Sequence, residues 1–519
     1  MVNERIDIIE NQISEDLTKR YSKVYNIHKY WSRKPWYPIS SCIMKYSNEG
    51  DTVVDMFMGS GVTALESVLL NRNYVGFDIN PISILISKGT LFSHFNEEKF
   101  LKDLEKIKVK MNNIAKKVYS TNNVCLNCGS NLIINYLNIG PKFKGKESGS
   151  FYCPSCKGKL KRPLKKEELQ IFTKNYKIKH FIPKNSFPKK FYKDRFSYKG
   201  ISKVSDMYTN RNLYILSEIL NVIRSSSLNY PDLFLLAFTN TTLHASKLKS
   251  ENVRPLNVNN YWIPDDYFEE NAWLRFLDRV ELIFESKKIL EERINSKKLG
   301  KYRIYEKSSI KTNLKSDSVD YIITDPPYGE TIQYSELSFI WNSWIEKKFE
   351  ISEEIIINPA QNKKIDDFIF LLEKTIIEAK RILKDQKRYT LCFHNKDFII
   401  WKKVLDLFKK YDFCLENVEL VSTKGNSYNH NWAKFSPKSD LYLTFIKSKF
   451  KHTHDKKYTL KDLLKKILLS EKSNEPSKIY DNFSANLIEE MYYNKFEIDT
   501  SCLNIKYISR LIEEIKNGN

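Results

Sequence analysis

The chain has 519 residues, of which 41% are hydrophobic and 13% aromatic, enough for a sizeable core and too apolar for disorder as the main state. It contains no long uncharged apolar run, and its first twelve residues are polar and acidic, unlike a secretory signal, so a soluble intracellular protein is expected. Lys+Arg number 85 against 63 Asp+Glu, a net charge of +22 that calls for a polyanionic partner, and the excess is concentrated between Lys142 and Lys199, with 18 basic residues against 4 acidic.

Residues 1–20 read as a polar helical lead-in, and Tyr25 to Trp36 then crowds aromatics and cations together. Thr52–Phe57 is a short β-rich run, GlySerGly at 59–61 a turn, Thr63–Leu70 helical in spacing and Tyr74–Ile79 a second strand. Strand, turn, helix and strand make a βαβ unit that opens a parallel sheet. From about 90 to 300 the sheet pattern lapses. A charged helix near 97–118, two cysteine pairs, the basic stretch and apolar-periodic helices near 210–223, 230–245 and 272–290 occupy that region. Strands return at Tyr302–Tyr305 and Val319–Thr324. A helix near 365–384, a strand at Tyr389–His394, a helix near 398–409 and strands near 415–421 and 440–446 follow, the last two an antiparallel hairpin because no helix separates them. Beyond about 455 the chain is Lys-rich and helical, with Leu460, Leu463, Leu464, Ile467 and Leu468 on one face. The expected organisation is one α/β sheet over 20–95 and 300–450, a helical tail at 455–519, and an insertion at 96–299 too long to lack a core of its own.

Three groups of residues carry chemistry. In AspMetPheMetGlySerGly, Asp55 to Gly61, the glycines allow a sharp turn and close approach to a ligand, while Asp78 ends the next strand where ribose hydroxyls are held in such sheets. Ala64 stands at the third glycine position of a dinucleotide fingerprint, so spacing alone leaves a dinucleotide open. ThrAspProProTyrGly, Thr324 to Gly329, must lie at a strand end, because two prolines cannot donate to a ladder. The Asp325 carboxylate and the Pro326 carbonyl, restricted by Pro327, are acceptors for an exocyclic amine, and Tyr328 offers a face for an extruded base. Cys125-x2-Cys128 and Cys153-x2-Cys156, 24 residues apart, form two knuckles that close a tetrahedral thiolate site, read as structural zinc at about 122–162.

The basic stretch interleaves Phe143, Tyr152, Tyr176, Phe187, Phe191, Tyr192, Phe196 and Tyr198 with cations, a pattern suited to phosphate contact and base stacking; a merely solvated lysine surface is the alternative. His394 and Asn395 end a strand beside the Asp325 loop, His430 and Asn431 lie in a polar loop, and His452 and His454 read as linker residues.

PheMetGlySerGly (57–61), AspIleAsnPro (78–81) and AspProProTyr (325–328) resemble motifs I, II and IV of S-adenosylmethionine-dependent amino-methyltransferases acting on DNA. Residues 28–36, 205–213, 270–276 and 334–338 are similar to stretches of prokaryotic site-specific DNA methylases that carry a zinc ribbon, so the likeness covers about 20–450. It implies a Rossmann-like α/β methyltransferase sheet, with alpha-group motif order, interrupted by a large zinc-ribbon and helical insertion that hosts target recognition. It also implies that Asp55, Phe57, Gly59, Ser60, Gly61 and Asp78 contact S-adenosylmethionine, with His28, Lys29, Tyr30 and Lys34 closing over its methionine end. Asp325, Pro326, Pro327 and Tyr328 would hold the target base, adenine N6 ahead of cytosine N4 because an Asp heads the tetrapeptide. The implied partners are DNA on the basic insertion, residues 142–199, and a restriction endonuclease, in a cytoplasmic, nucleoid-associated setting without a membrane. The family usually has Pro and a small residue where Met56 and Met58 stand. Two rival readings remain at this point: an RNA amine methyltransferase, and an inactive zinc-ribbon DNA-binding protein.

Overall fold

Val319–Thr324 is buried at every residue, as a central parallel strand covered on both faces must be. The computed structural model of the chain describes residues 14–91, 94–192, 199–251, 255, 261–295, 297–395, 397–422, 439–449, 464–465, 476–493 and 505–516. His430, Asn431, His452, His454, Phe196, Tyr198 and most of the apolar face expected at Leu460 to Leu468 lie outside these residues.

Strands β1 (Thr52–Asp55) and β2 (Asn73–Asp78) open one sheet; β3 (Ser120–Val124), β4 (Asn131–Ile139), β5 (Ser148–Tyr152), β6 (Lys159–Pro163) and β7 (Tyr267–Glu270) form another. β8 (Tyr302–Glu306), β9 (Val319–Thr324), β10 (Leu383–Phe393), β11 (Phe413–Ser422) and β12 (Ser439–Lys447) complete the first. Its spatial order is β11-β12-β10-β9-β1-β2-β8, parallel throughout except that β12 runs antiparallel to both of its neighbours. This is the α/β methyltransferase sheet implied by the sequence, with its last two strands paired as an antiparallel ribbon. The strand order reverses between β1 and β9, which pair directly through Val53 with Tyr321 and Val54 with Ile322. At such a switch point the loops leaving the two strands diverge and a crevice opens between them.

Helices cover both faces. One face buries Val54, Phe77 and Ile322 beneath helices Ile365–Ile382, Phe398–Lys410 and Pro476–Tyr493. The last of these packs on β11 and on helix Phe398–Lys410, so this part of the tail is a layer of the sheet and not an appendage. The other face buries Val53, Tyr321 and Ile323 beneath helices Trp36–Tyr46 and Val62–Leu69.

The second sheet corrects the expectation that strands lapse between 90 and 300. β3 reads STNNV and β6 KLKRP, so no apolar alternation marks them, but β4, NLIINYLNI, is a nine-residue, largely apolar run that buries Leu132, Ile134 and Leu137 and does carry a strand signal. The insertion does bury a core, but not one of its own. Leu216, Phe234 and Phe276 are continuous with Ile27, Trp31, Ile82, Ile86 and Trp341 from the sheet half.

A buried ion pair reinforces that continuity. Arg293, near the end of helix Ala272–Ile294, donates to Glu66 on helix Val62–Leu69 at 2.9 Å and 3.0 Å, and Tyr25 also bonds to Glu66. Removing one member of such a pair leaves an uncompensated charge in the interior. Glu66→Ala is therefore expected to cost about 3–5 kcal/mol of unfolding free energy, measurable by urea denaturation.

Candidate active site

The site is assembled from strand ends. β1 ends in Asp55, and its buried carboxylate accepts the Thr324 hydroxyl of β9 at 2.7 Å and the Phe57 N–H at 3.0 Å. Phe57 N–H also donates to Thr324 Oγ1 at 3.1 Å. The turn after β1 is thus tied to Thr324, the last residue of β9, immediately before the Asp-Pro-Pro-Tyr loop. Burial pushes the Asp55 carboxyl up to about 6, against these hydrogen bonds.

Gly59 and Gly61 both have positive φ, at 55° and 80°, and neither could carry a side chain comfortably. A Cβ on Gly59 would lie 3.0 Å from the Tyr30 ring, and one on Gly61 2.9 Å from Ser87 Oγ. Asp78, at the end of β2, accepts from Gly59 N–H, Ser83 Oγ and Asn80 N–H, each at 2.8 Å. Its carboxyl is likewise raised to about 6 by burial. From the N-terminal side, Arg33 reaches Ser60 Oγ at 3.1 Å and the His28 carbonyl at 2.6 Å, which lays the Tyr30–Lys34 segment across the turn.

These elements line a cleft of about 940 Å³, partly open to solvent. Tyr30, Lys34, Asp55, Phe57, Gly59, Ser60, Asp78, Asp325 and Pro327 line it, whereas Pro326 and Tyr328 do not. Arg33, Asn80 and Tyr334 join it from the motif stretches 28–36, 78–81 and 334–338, and Glu354 comes from outside them. Burial raises the Glu354 carboxyl to about 7. His28, Lys29 and Gly61 are not lining residues. His28 instead packs edge-on against Trp341 and bonds to Thr239, and burial lowers its pKa to about 3, so it is a neutral packing residue.

In the Asp-Pro-Pro-Tyr loop, Asp325 accepts the Tyr328 hydroxyl at 2.5 Å and lies 3.5 Å from Lys34 Nζ. Lys34 also bonds to Tyr328 Oη and to Asp440 at 3.0 Å. Burial drives the Asp325 carboxyl up to about 7, with Lys34 and Tyr328 opposing. Burial disfavours the Lys34 ammonium too, but the Asp325 and Asp440 carboxylates more than offset that and hold it protonated. Tyr328 departs from the sequence picture. Its ring is buried edge-on to Phe393 with Lys34 Nζ 4.8 Å from its centroid, so it is not displayed as an open platform. Pro326 is buried beside it, and Asn395 fixes the turn by donating to the Tyr328 carbonyl at 2.9 Å. Asp440 was invisible in the sequence, because it enters the site only through the reversed direction of β12, whose first residues lie at the carboxyl end of the parallel strands.

Away from the cleft, the four sulfurs of Cys125, Cys128, Cys153 and Cys156 lie within 4.8 Å of one another. The Cys128–Cys153 and Cys125–Cys156 separations are 3.5 and 3.9 Å. Four thiolates about 2.3 Å from a tetrahedral ion would stand about 3.8 Å apart, so the donor set fits such an ion. In the basic stretch, the lysines between Lys142 and Lys189 whose side chains are described are exposed. Several of its aromatics are spent inward: Phe187 and Phe191 pack on Phe339, and Tyr176 stacks on Tyr214 at 5.3 Å. Their periodicity with the cations therefore serves packing of an irregular segment as well as any surface.

A family model described as DNA methylase, of N6/N4 type, matches residues 8–88 and 319–518, a little over half of the chain. The type II methyltransferase M.MjaII of Methanocaldococcus jannaschii is 32% identical over 73 residues, 14% of each chain. M.HpaI of Haemophilus parainfluenzae, also named a type II methyltransferase, is 42% identical over 65 residues, 12% of this chain and 21% of its own. The orphan methyltransferase M.BamHII of Bacillus amyloliquefaciens is 55% identical over 38 residues, 7% of this chain and 14% of its own. The chain thus spans about a fifth or less of the length of these relatives. A solved S-adenosylmethionine-dependent methyltransferase from Methanosarcina mazei aligns over 79% of this chain and 98% of its own at 8% identity and a TM-score of 0.26, a likeness on which nothing is built.

Asp55, Asp78, Asp325 and Glu354 share one electrostatic sign, since burial raises each of them. Each holds its proton more tightly when folded, so its stabilising contribution is full below about pH 4 and is lost as pH rises through about 6 to 7. Asp78→Asn should accordingly lose less stability than the wild type between about pH 5 and pH 8, with urea unfolding at both values as the measurement.

Proposed function

The chain belongs to the N6/N4 DNA methylase family, and on that premise we propose that it transfers the methyl of S-adenosylmethionine to the exocyclic amine of an everted DNA base, adenine N6 ahead of cytosine N4. One observation carries the proposal: the Asp55–Thr324 bond between adjacent parallel strands brings the glycine turn and the Asp-Pro-Pro-Tyr loop to one cleft. S-adenosylmethionine, when bound, supplies an electrophilic methyl on a sulfonium.

The residues present fit that ligand. Asp78 is an acceptor for ribose hydroxyls, Arg33 a cation for the methionine carboxylate, and Phe57, Gly59 and Ser60 of the turn line the cleft that would take the ligand's body. Asp325 and the Pro326 carbonyl are acceptors that would orient the amine so that its lone pair faces the methyl, catalysis by positioning and preorganised charge. Tyr328 would have to release Asp325 for a base to bind there, since its hydroxyl now occupies that acceptor.

The insertion, 96–299, with its exposed lysines from Lys142 onward, is read as the target-recognition region for duplex DNA. A structural zinc ion is assigned to Cys125, Cys128, Cys153 and Cys156, whose thiolates would leave no open coordination position. The names of the type II relatives support a role in restriction–modification, and a cognate endonuclease is the partner proposed with it.

Labelled-methyl transfer to duplex DNA and to tRNA in parallel, followed by modified-base detection, tests the reading; N6-methyladenine in DNA is the expected product. Asp325→Ala should lower the rate by at least about a hundredfold while calorimetry finds cofactor affinity little changed. Label appearing in tRNA alone would favour the RNA reading, and an undiminished rate in Asp325→Ala would remove the loop from catalysis. Chelation or Cys153→Ser should release about one zinc per chain and lower the melting temperature, as a colorimetric zinc dye and a thermal melt would report.

A further inference from the structure

Methylating an amine creates a disposal problem. The nitrogen lone pair forms the N–C bond while the S–C electron pair stays with sulfur, and the nitrogen is left with one proton in excess. Asp325 is the carboxylate of the Asp-Pro-Pro-Tyr loop, and it lines the cleft that cofactor and base would fill. With both bound, its route to water on that side is closed.

A second route leads away from the cleft. Lys34, whose side chain is 7% exposed, sits between two carboxylates, 3.5 Å from Asp325 and 3.0 Å from Asp440. Tyr328 Oη bridges Asp325 and Lys34. Asp440, 14% exposed, lies 3.7 Å from Nδ1 of His394, which is 25% exposed. His394 does not line the cleft; with Ser439, Trp401 and Asp481 it lines a separate hollow of about 320 Å³ beside helix Pro476–Tyr493. Hydrogen bonds therefore run from Asp325 through Tyr328 and Lys34 to Asp440, and an electrostatic contact of 3.7 Å continues to His394 at the second hollow.

We propose that Lys34, Asp440 and His394 form a proton exit: Asp325 takes the surplus proton, Lys34 accepts it while giving one of its own to Asp440, and His394 passes it to water in the second hollow. One proton leaves the amine and one reaches solvent, so no further reactant is needed. The inference rests on the amine-methylation reading above. The other titratable groups facing this path are Asp55, Tyr30 and Tyr334 around Asp325, Cys392 beside Lys34, and Tyr442 on β12. Cys392 and Tyr442 are held neutral by burial, and Lys34 Nζ is the group that touches both Tyr328 and Asp440.

Single-turnover methyl transfer to duplex DNA, measured from about pH 6 to pH 9, tests the exit in Asp440→Asn, Asp440→Glu and His394→Ala. Asp440→Asn and His394→Ala should lose at least about tenfold in rate, with an altered pH profile and solvent isotope effect. Asp440→Glu should recover most of the rate. Added imidazole should restore His394→Ala in proportion to its concentration, a response that a purely structural role would not give. Cofactor affinity by calorimetry should stay within about twofold in all three, since none of these residues is assigned to the ligand. Wild-type pH profiles in Asp440→Asn and His394→Ala, or no response to imidazole, would overturn the exit alone. A wild-type protein that modifies no DNA amine would overturn the functional reading and the exit with it.

Discussion

A single buried carboxylate governs the geometry of the site. Asp55 ends β1 inside the sheet and is satisfied by a hydroxyl from β9 and by the first N–H of its own turn. An unpaired carboxylate there would carry the full cost of desolvation, so the two strands hold their register and their loops hold a fixed separation. The glycine turn and the Asp-Pro-Pro-Tyr loop are consequently one object, although 269 residues separate Asp55 from Thr324.

The intervening chain is coupled to that object rather than hung from it. Arg293 bonds to Glu66 beneath the glycine helix, and Lys287 caps the carbonyls of Gly89 and Thr90 at the end of helix Pro81–Leu91. On the other side, Asn342 bonds to Asn80 and Trp341 packs on His28 and Trp31. The segment that crosses the cleft is thereby clamped between the sheet and the insertion's helices. Buried polar contacts of this kind fix orientation more than they add net stability.

Charge is divided between two jobs. The lysines described between Lys142 and Lys189 lie in solvent, while Arg33 and Lys34 beside the cleft are bonded to Ser60 and to Asp440. Lys34 is the clearest case, a cation whose two carboxylate neighbours compensate for its burial. The same neighbours link the Asp-Pro-Pro-Tyr loop to β12.

Much of this was legible in the sequence because it is local. The strand runs, the glycine turn, the antiparallel final pair and the two cysteine knuckles depend on neighbours within a few residues, and each formed where its residue types favour it. The pairing of β1 with β9 belongs to the tertiary structure. Strands β3 and β6 of the second sheet are polar and carry no apolar period, whereas the apolar run of β4 is visible in the sequence. Only the tertiary structure decided that His28 is a packing residue, that Phe187 and Phe191 face inward, that Tyr328 is turned onto Phe393, and that Asp440 stands beside Lys34. Those outcomes depend on which side chains meet across hundreds of residues, and long-range contact is a property of packed surfaces that no spacing along the chain encodes.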